Sequence, residues 1–334
     1  PLNNYLKSEL REKLQKKRNF ELEEIKNRLH KTHFPSILND RHTLFSSKQA
    51  QKSSAKNRLI ETWLSRTGNE LVEIPEILQE IHAQFSEHFQ YSENHQLESE
   101  LFLNNPIKRV FSREKNEFLA KSFETDEIRE VIDSLQKCKS PGFDGIPAEF
   151  YKFFKEIFVI LFNRLLINIE NVGILPKSMY FGIISQIYKG KGCKSERKNW
   201  RPITLLNSDY KIVAKLIFNR LKSVAGNIID SDQSCSIPGR NIRHGIFTIF
   251  SVIDKINRSG ENAILVSVDQ KTAFDLVNWN FLFEVLKSFE INSRFLKWIK
   301  LFYISGLVKS STLVNGFLCK PFSVFKGLRQ GCPL

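Results

Sequence analysis

The chain has 334 residues, 41% of them hydrophobic and 12% aromatic, enough to bury a sizeable core, and its length sets an expectation of two domains. Lys and Arg outnumber Asp and Glu by 50 to 36, a formal charge of +14, and a field of that sign favours a polyanionic partner. The longest wholly apolar run, FVILF at 158–162, is far too short to span a bilayer, and five scattered cysteines with no C-x-x-C pair speak against a disulfide framework or a zinc site.

Residues 5–31 repeat Leu6, Leu10, Leu14, Leu22, Ile25 and Leu29 at helical spacing among charged residues, which predicts a long helix or a helical hairpin. A polar stretch follows at 36–57. IPEILQEIHAQFSEHFQ, 74–90, predicts a second amphipathic helix with Pro75 at its start, and 91–120 reads as irregular. The seven histidines lie mostly in these polar segments and read as solvated. Residues 1–120 are expected to be a helical linker or packing module without a chemical constellation. The chain opens on Pro, shows no signal-peptide pattern and stops at GCPL. It is expected to be a fragment of a longer reading frame, located inside the cell, in the cytoplasm or the nucleus.

From 121 the character changes. Thr125 is expected to cap a helix with Asp126 and Glu127 in its first turn and Ile128, Val131, Ile132 and Leu135 as its buried stripe. KCKSPGFDGIPAEFYK, 137–152, holds two turn signals, Pro141-Gly142 and Asp144-Gly145. The helix after it, 148–168, is apolar almost all round and is expected to be deeply buried. FGIISQIYK, 181–189, is a strand candidate. A basic loop follows, with Lys189, Lys191, Lys194, Arg197, Lys198 and Arg201 against the single acid Glu196. It lacks the spacing of a phosphate-binding P-loop. A helix over 208–225 turns Ile212, Val213, Leu216, Ile217 and Leu221 inward and Lys211, Lys215 and Lys222 outward, with Gly226 as its stop.

AILVSVD, 263–269, reads as a strand with at least one buried face, ending in Asp269. Helices at 279–290 and 293–305, the second capped by Ser293, lead to a hairpin about Asn315-Gly316. The alternation gives an α/β (α+β) sheet layered with helices. A carboxylate at the C-terminal end of a strand lies at the rim where such sheets place ligands. Taken alone, Asp269 is better explained as a turn or cap residue before the next helix. Its neighbours are more specific: Lys271, Phe274 and Asp275 follow closely, and KGLRQG, 326–331, is a second Gly-rich turn. Basic groups with a carboxylate suit a phosphate-bearing substrate and a divalent cation, because Mg2+ is held by one or two carboxylates together with substrate phosphates.

Five segments, in order, resemble the reverse transcriptase region of non-LTR (LINE-type) retrotransposons. They are KSPGFDGIPAEFYK, ISQIYKGKG with NWRPITLLNSDYKIVAKLIFNRL, DQSCSIPGRNIRHGI, ILVSVDQKTAFDLVNW and GLRQGCPL. The resemblance implies right-hand polymerase fingers and a partial palm over 121–334, preceded by a helical N-terminal region over 1–120. It implies an RNA-directed DNA polymerase that works by two-metal nucleotidyl transfer, with Mg2+, an RNA template, a DNA primer and deoxynucleotides. Asp269 matches the catalytic metal ligand, with the Gln270 carbonyl beside the same ion, and Phe274 matches the bulky residue that blocks a ribose 2′-hydroxyl. Lys189 and Arg201 match residues near the triphosphate and template, and Gln330 and Gly331 lie where the incoming nucleotide binds. Lys191, Lys194, Arg197, Lys198 and Arg240 are expected to contact nucleic acid, and Asp275 reads as structural. One departure is Cys235-Ser236, where the family carries a small residue followed by an aromatic. The family's further metal carboxylates sit in an Asp-Asp hairpin after the Gly-rich segment, and no Asp-Asp pair follows Asp269 in this sequence. The alternative is therefore a catalytically inactive, basic remnant that binds nucleic acid. No membrane partner is expected, and the oligomeric state is left open.

Overall fold

Trp63 and Leu71 face each other across a short ribbon near the start of the computed structural model, which describes residues 59–91, 110–226, 228–235, 237–260 and 262–334. The helix expected over 5–31 and the polar stretch at 36–57 lie outside the described residues. The ribbon is β1 (Trp63–Leu64) and β2 (Glu70–Leu71), turned at Gly68 with φ 87°. Helix α1 (Ile74–His88) begins with Pro75 in its first turn, where the missing N–H has no intrahelical partner to lose. Ile77, Ile81 and Phe85, four apart, form its buried stripe. Part of the stretch expected to be irregular is helical: α2 (Arg113–Ala120) starts where the Ser112 side chain accepts from the Lys115 N–H.

Helix α3 (Thr125–Asp133) is capped one residue earlier than expected. The Glu124 N–H donates to Glu127 Oε2 at 2.8 Å, one arm of a capping box. The helix expected over 148–168 is interrupted at Phe154, giving α4 (Ala148–Phe153) and α5 (Lys155–Val172). Helix α5 buries Val159, Phe162, Leu166 and Ile169, but Ile160, Leu161 and Ile167 are exposed. It is covered along one face, so its all-round apolar character does not become all-round burial.

The central sheet comprises β3 (Phe181–Tyr188), β4 (Trp200–Leu205), β5 (Lys309–Val314), β6 (Phe317–Leu318) and β7 (Phe322–Ser323). Its order is β4-β3-β5-β6 with β7 also on β5; β3 and β5 run parallel and the other pairs antiparallel. The turn joining β5 to β6 holds Asn315 at φ 51° and Gly316 at φ 91°, the two positive values of the expected type I′ turn. Between β4 and β5 come α6 (Ser208–Ala225), α7 (Ile242–Ser259), α8 (Trp279–Ser288) and α9 (Ser293–Lys300). Helix α6 matches its expected bounds and ends at Gly226; α9 is capped by Asn292 rather than Ser293, through a bond from the Arg294 N–H at 2.9 Å. The mixed sheet layered with helices is the expected α/β class.

The strand expected at 263–269 does not form. Residues 262–270 are without regular structure, with Ile264 91% and Val268 89% exposed. Among the described residues no strand lies beside them, so their backbone N–H and C=O groups have no ladder, and an isolated strand does not persist in water. Helix α7 likewise buries no side chain and leaves Ile242, Phe247 and Phe250 exposed.

Residues 60–89 share the core of the sheet. Asn315 bonds both backbone groups of Ile60, at 3.0 and 2.7 Å. Phe89 stacks on Phe322 at 6.1 Å. All described residues belong to one compact unit that begins at Asn57.

Candidate functional site

The Gly-rich turn 326–331 is stapled between two elements. On one side the Gly327 N–H donates to Val277 O at 2.7 Å, the Leu328 N–H to Phe274 O at 2.7 Å, and the Trp279 indole N–H to Gly327 O at 2.9 Å. On the other side the Thr204 N–H of β4 donates to Gln330 O at 2.7 Å. Glycine is required twice. A Cβ on Gly327 (φ 86°) would lie 2.6 Å from Asp275 O, and one on Gly331 (φ 118°) 2.5 Å from Thr204 O.

Asp275, only 6% exposed, is the hub of this junction. Its Oδ1 accepts from Gln330 Nε2 at 3.1 Å, and its Oδ2 faces His88 Nε2 at 3.8 Å. A carboxylate taken out of water needs such partners. Phe274, beside it, is 60% exposed and presents its ring to solvent. Asp275 and Gln330 line a small cleft with Phe89, Ile184 and Thr204, and Phe274 and Gly331 are their chain neighbours.

The other expected residues are placed differently. Asp269 and Gln270 lie on the exposed segment 262–270. Lys189 is exposed and its Nζ donates to Lys198 O at 2.7 Å, while Arg201 is exposed on β4 opposite Ile187. Lys191 is exposed, the Lys194 ammonium sits 5.6 Å from the centre of the Tyr188 ring, and Lys198 pairs with Glu196 at 3.0 Å. Two expected nucleic-acid contacts have other work. The Arg197 guanidinium lies 4.4 Å over Phe85 and donates to Gln84 O, and burial lowers its pKa. Arg240 donates to the carbonyls of Gly226, Ile229, Asp230 and Gln233, closing the end of α6. A guanidinium committed to four carbonyls has little left for a phosphate. The expectation of solvated histidines fails at His88, whose Nε2 is buried beside Asp275; the half-exposed His82 has its Nδ1 2.9 Å from Lys320 O. Nothing in the local sequence around His88 signals its partner, which is close only through the fold.

The SPGFDG loop docks on the start of α6, where a Cβ on Gly142 would lie 2.3 Å from Asn207 N. Burial, with Asp144 adding repulsion, pushes the Asp209 carboxyl up to about 6, although the Tyr210 N–H bonds it. The sign follows. Above about 6 the folded state carries an ionised group it disfavours; the cost shrinks as pH falls and is gone below the ordinary value of 3.8. Asp209→Asn is therefore expected to stabilise the protein near pH 8 by about 2 kcal/mol and to do nothing below the ordinary carboxylate range. Urea denaturation at both pH values checks this; an equal gain at both would exclude ionisation as the cause.

Residues 188–334 match the family described as reverse transcriptase (RNA-dependent DNA polymerase). That region resembles a reverse transcriptase domain, and the junction of Gly-rich turn and acid-bearing segment lies within it. Its relatives are transposon proteins, in keeping with a non-LTR retrotransposon origin. A Xenopus laevis protein described as "Transposon TX1 uncharacterized 149 kDa protein" is 37% identical over 227 residues, 67% of this chain and 17% of the relative. A Drosophila melanogaster protein described as "Probable RNA-directed DNA polymerase from transposon BS" is 28% identical over 262 residues, 73% of this chain and 27% of the relative. The chain thus spans well under a third of either relative.

Proposed function

We propose that the chain forms the fingers and part of the palm of an RNA-directed DNA polymerase, holding an RNA template, a DNA primer and an incoming deoxynucleotide. The carrying observation is the hydrogen-bonded junction of the Gly-rich turn, which holds Gln330 and Gly331, with segment 274–277, which begins at Phe274. In this reading the exposed Phe274 ring clashes with a ribose 2′-hydroxyl and Gly331 admits close backbone approach. Lys189 supplies a point charge and Arg201 a forked donor to phosphates. No helix among the described residues is long and apolar enough to cross a membrane. Such a protein works inside the cell, where its RNA and DNA are.

Mg2+ would neutralise phosphate charge and activate the primer hydroxyl, and Asp269 is the carboxylate assigned to it. The described residues do not make a two-metal site. Among the described residues no three His, Cys, Asp or Glu side chains converge to hold an ion, and Asp269 lies on the exposed segment 262–270.

The lone Asp269 favours a second reading, a basic nucleic-acid-binding remnant without polymerase activity of its own. Primer extension on an RNA template separates the two. Extension that vanishes in Asp269→Asn establishes the polymerase; binding without extension establishes the remnant. In both, duplex affinity is expected to fall roughly 50-fold or more from 50 to 200 mM salt if three or four cations meet phosphates. Salt-insensitive binding would remove the basic loop as the contact surface.

A further inference from the structure

Helix α1 lies outside the residues matched to the family, yet its last turn reaches the junction. The Phe325 N–H donates to Phe89 O at 3.0 Å, and Phe89 lines the same cleft as Asp275 and Gln330. His88 Nε2 stands 3.8 Å from Asp275 Oδ2, sealed from solvent and without a hydrogen-bond partner. The imidazole is seated edge-on against Phe89, 5.0 Å between ring centres. Arg197, anchored on α1 through Phe85 and Gln84, adds favourable charge toward Asp275. His88 at the end of α1 thus faces one oxygen of a carboxylate whose other oxygen holds Gln330.

We propose that His88 is a positioning residue. A carboxylate fixed at one oxygen turns freely about its terminal torsion, which is broad. His88 facing the second oxygen fixes the Asp275 plane, and through it the Gln330 amide and the Gly-rich turn. The inference rests on the reading that this turn meets the incoming nucleotide.

Amide hydrogen exchange on the 334-residue chain tests the positioning without requiring activity. His88→Ala is expected to speed exchange at Gly327 and Leu328, whose N–H groups bond Val277 O and Phe274 O, by roughly tenfold. His88→Gln, which keeps a donor at similar reach, is expected to stay within about twofold of wild type. Binding of a Mg2+–deoxynucleoside triphosphate to the chain on an RNA–DNA primer–template is expected to follow the same order, about fivefold weaker in the alanine variant. Unchanged exchange in His88→Ala overturns the proposal, and so does a glutamine variant no better than alanine, which would reduce His88 to packing. If wild type binds no nucleotide while exchange responds as expected, the reading of the turn fails and the positioning stands. Should the alanine variant not fold, Asp275→Asn removes the charge that His88 faces but keeps an acceptor for Gln330; unchanged exchange there also overturns it.

Discussion

Trp63→Ala is expected to cost roughly 3–5 kcal/mol of folding stability, as for other buried aromatic truncations. That is a large share of the roughly 5–15 kcal/mol that holds a domain together. Trp63 is 0% exposed and packs against Trp200 of β4, with 6.4 Å between ring centres. Its indole N–H donates to Gln84 Oε1 at 3.2 Å, and Gln84 in turn donates to Leu64 O at 3.0 Å. The neighbouring Leu64 N–H donates to Ser195 O at 2.9 Å, inside the basic loop. Truncation therefore opens a cavity against β4 and leaves the half-buried Gln84 amide oxygen without its partner. Trp63→Phe, which keeps most of the volume, is expected to lose about half as much or less. Urea denaturation followed by circular dichroism measures both. A loss under about 1 kcal/mol in the alanine variant would mark residues 60–71 as an appendage rather than part of the sheet's core.

Local periodicity made much of this fold readable. The stripe of Ile77, Ile81 and Phe85 specifies α1, and the inward residues of α6 specify its bounds, because a repeat of three to four suits one helix face. Asn315-Gly316 specifies its turn because both residues tolerate positive φ. Caps were displaced at Glu124 and Asn292, since the choice depends on which side chain reaches a free N–H rather than on residue type. The run at 263–269 has strand composition, but a strand is held by a neighbour's backbone, and composition does not provide one. At the junction, a family pattern singled out Phe274, Gln330 and Gly331. His88 was not, because its partner is adjacent only in the folded chain. Arg197 and Arg240 look like the other basic residues in sequence; only their ring and carbonyl contacts distinguish a structural guanidinium from a solvated one.

Arg220→Ala is expected to be at least as costly as loss of Trp63, about 3–5 kcal/mol, because removing one partner strands a partly buried charge. Arg220, 4% exposed, links α6 to α3 through a two-point bond to Glu127: Nε to Oε1 at 2.7 Å and Nη2 to Oε2 at 2.6 Å. It also donates to Ser122 O at 2.7 Å and to Lys121 O, and its plane lies 4.1 Å over the Phe123 ring. Lysine cannot reproduce that fork, so Arg220→Lys is expected to lose about 2 kcal/mol or more. The pH dependence identifies the cause. Burial raises the Glu127 pKa, but Arg220 and the Glu124 N–H outweigh it and hold the carboxyl below its ordinary 4.5. A depressed acid stabilises the fold above its unfolded pKa, and that contribution is lost as pH falls through the folded value. The penalty of Arg220→Ala should therefore shrink under acid conditions, where Glu127 is protonated in both states. Denaturation of wild type and variant at neutral and acid pH measures this directly. A penalty of equal size at both would assign Arg220's contribution to packing over Phe123 and to the two carbonyls rather than to the ion pair.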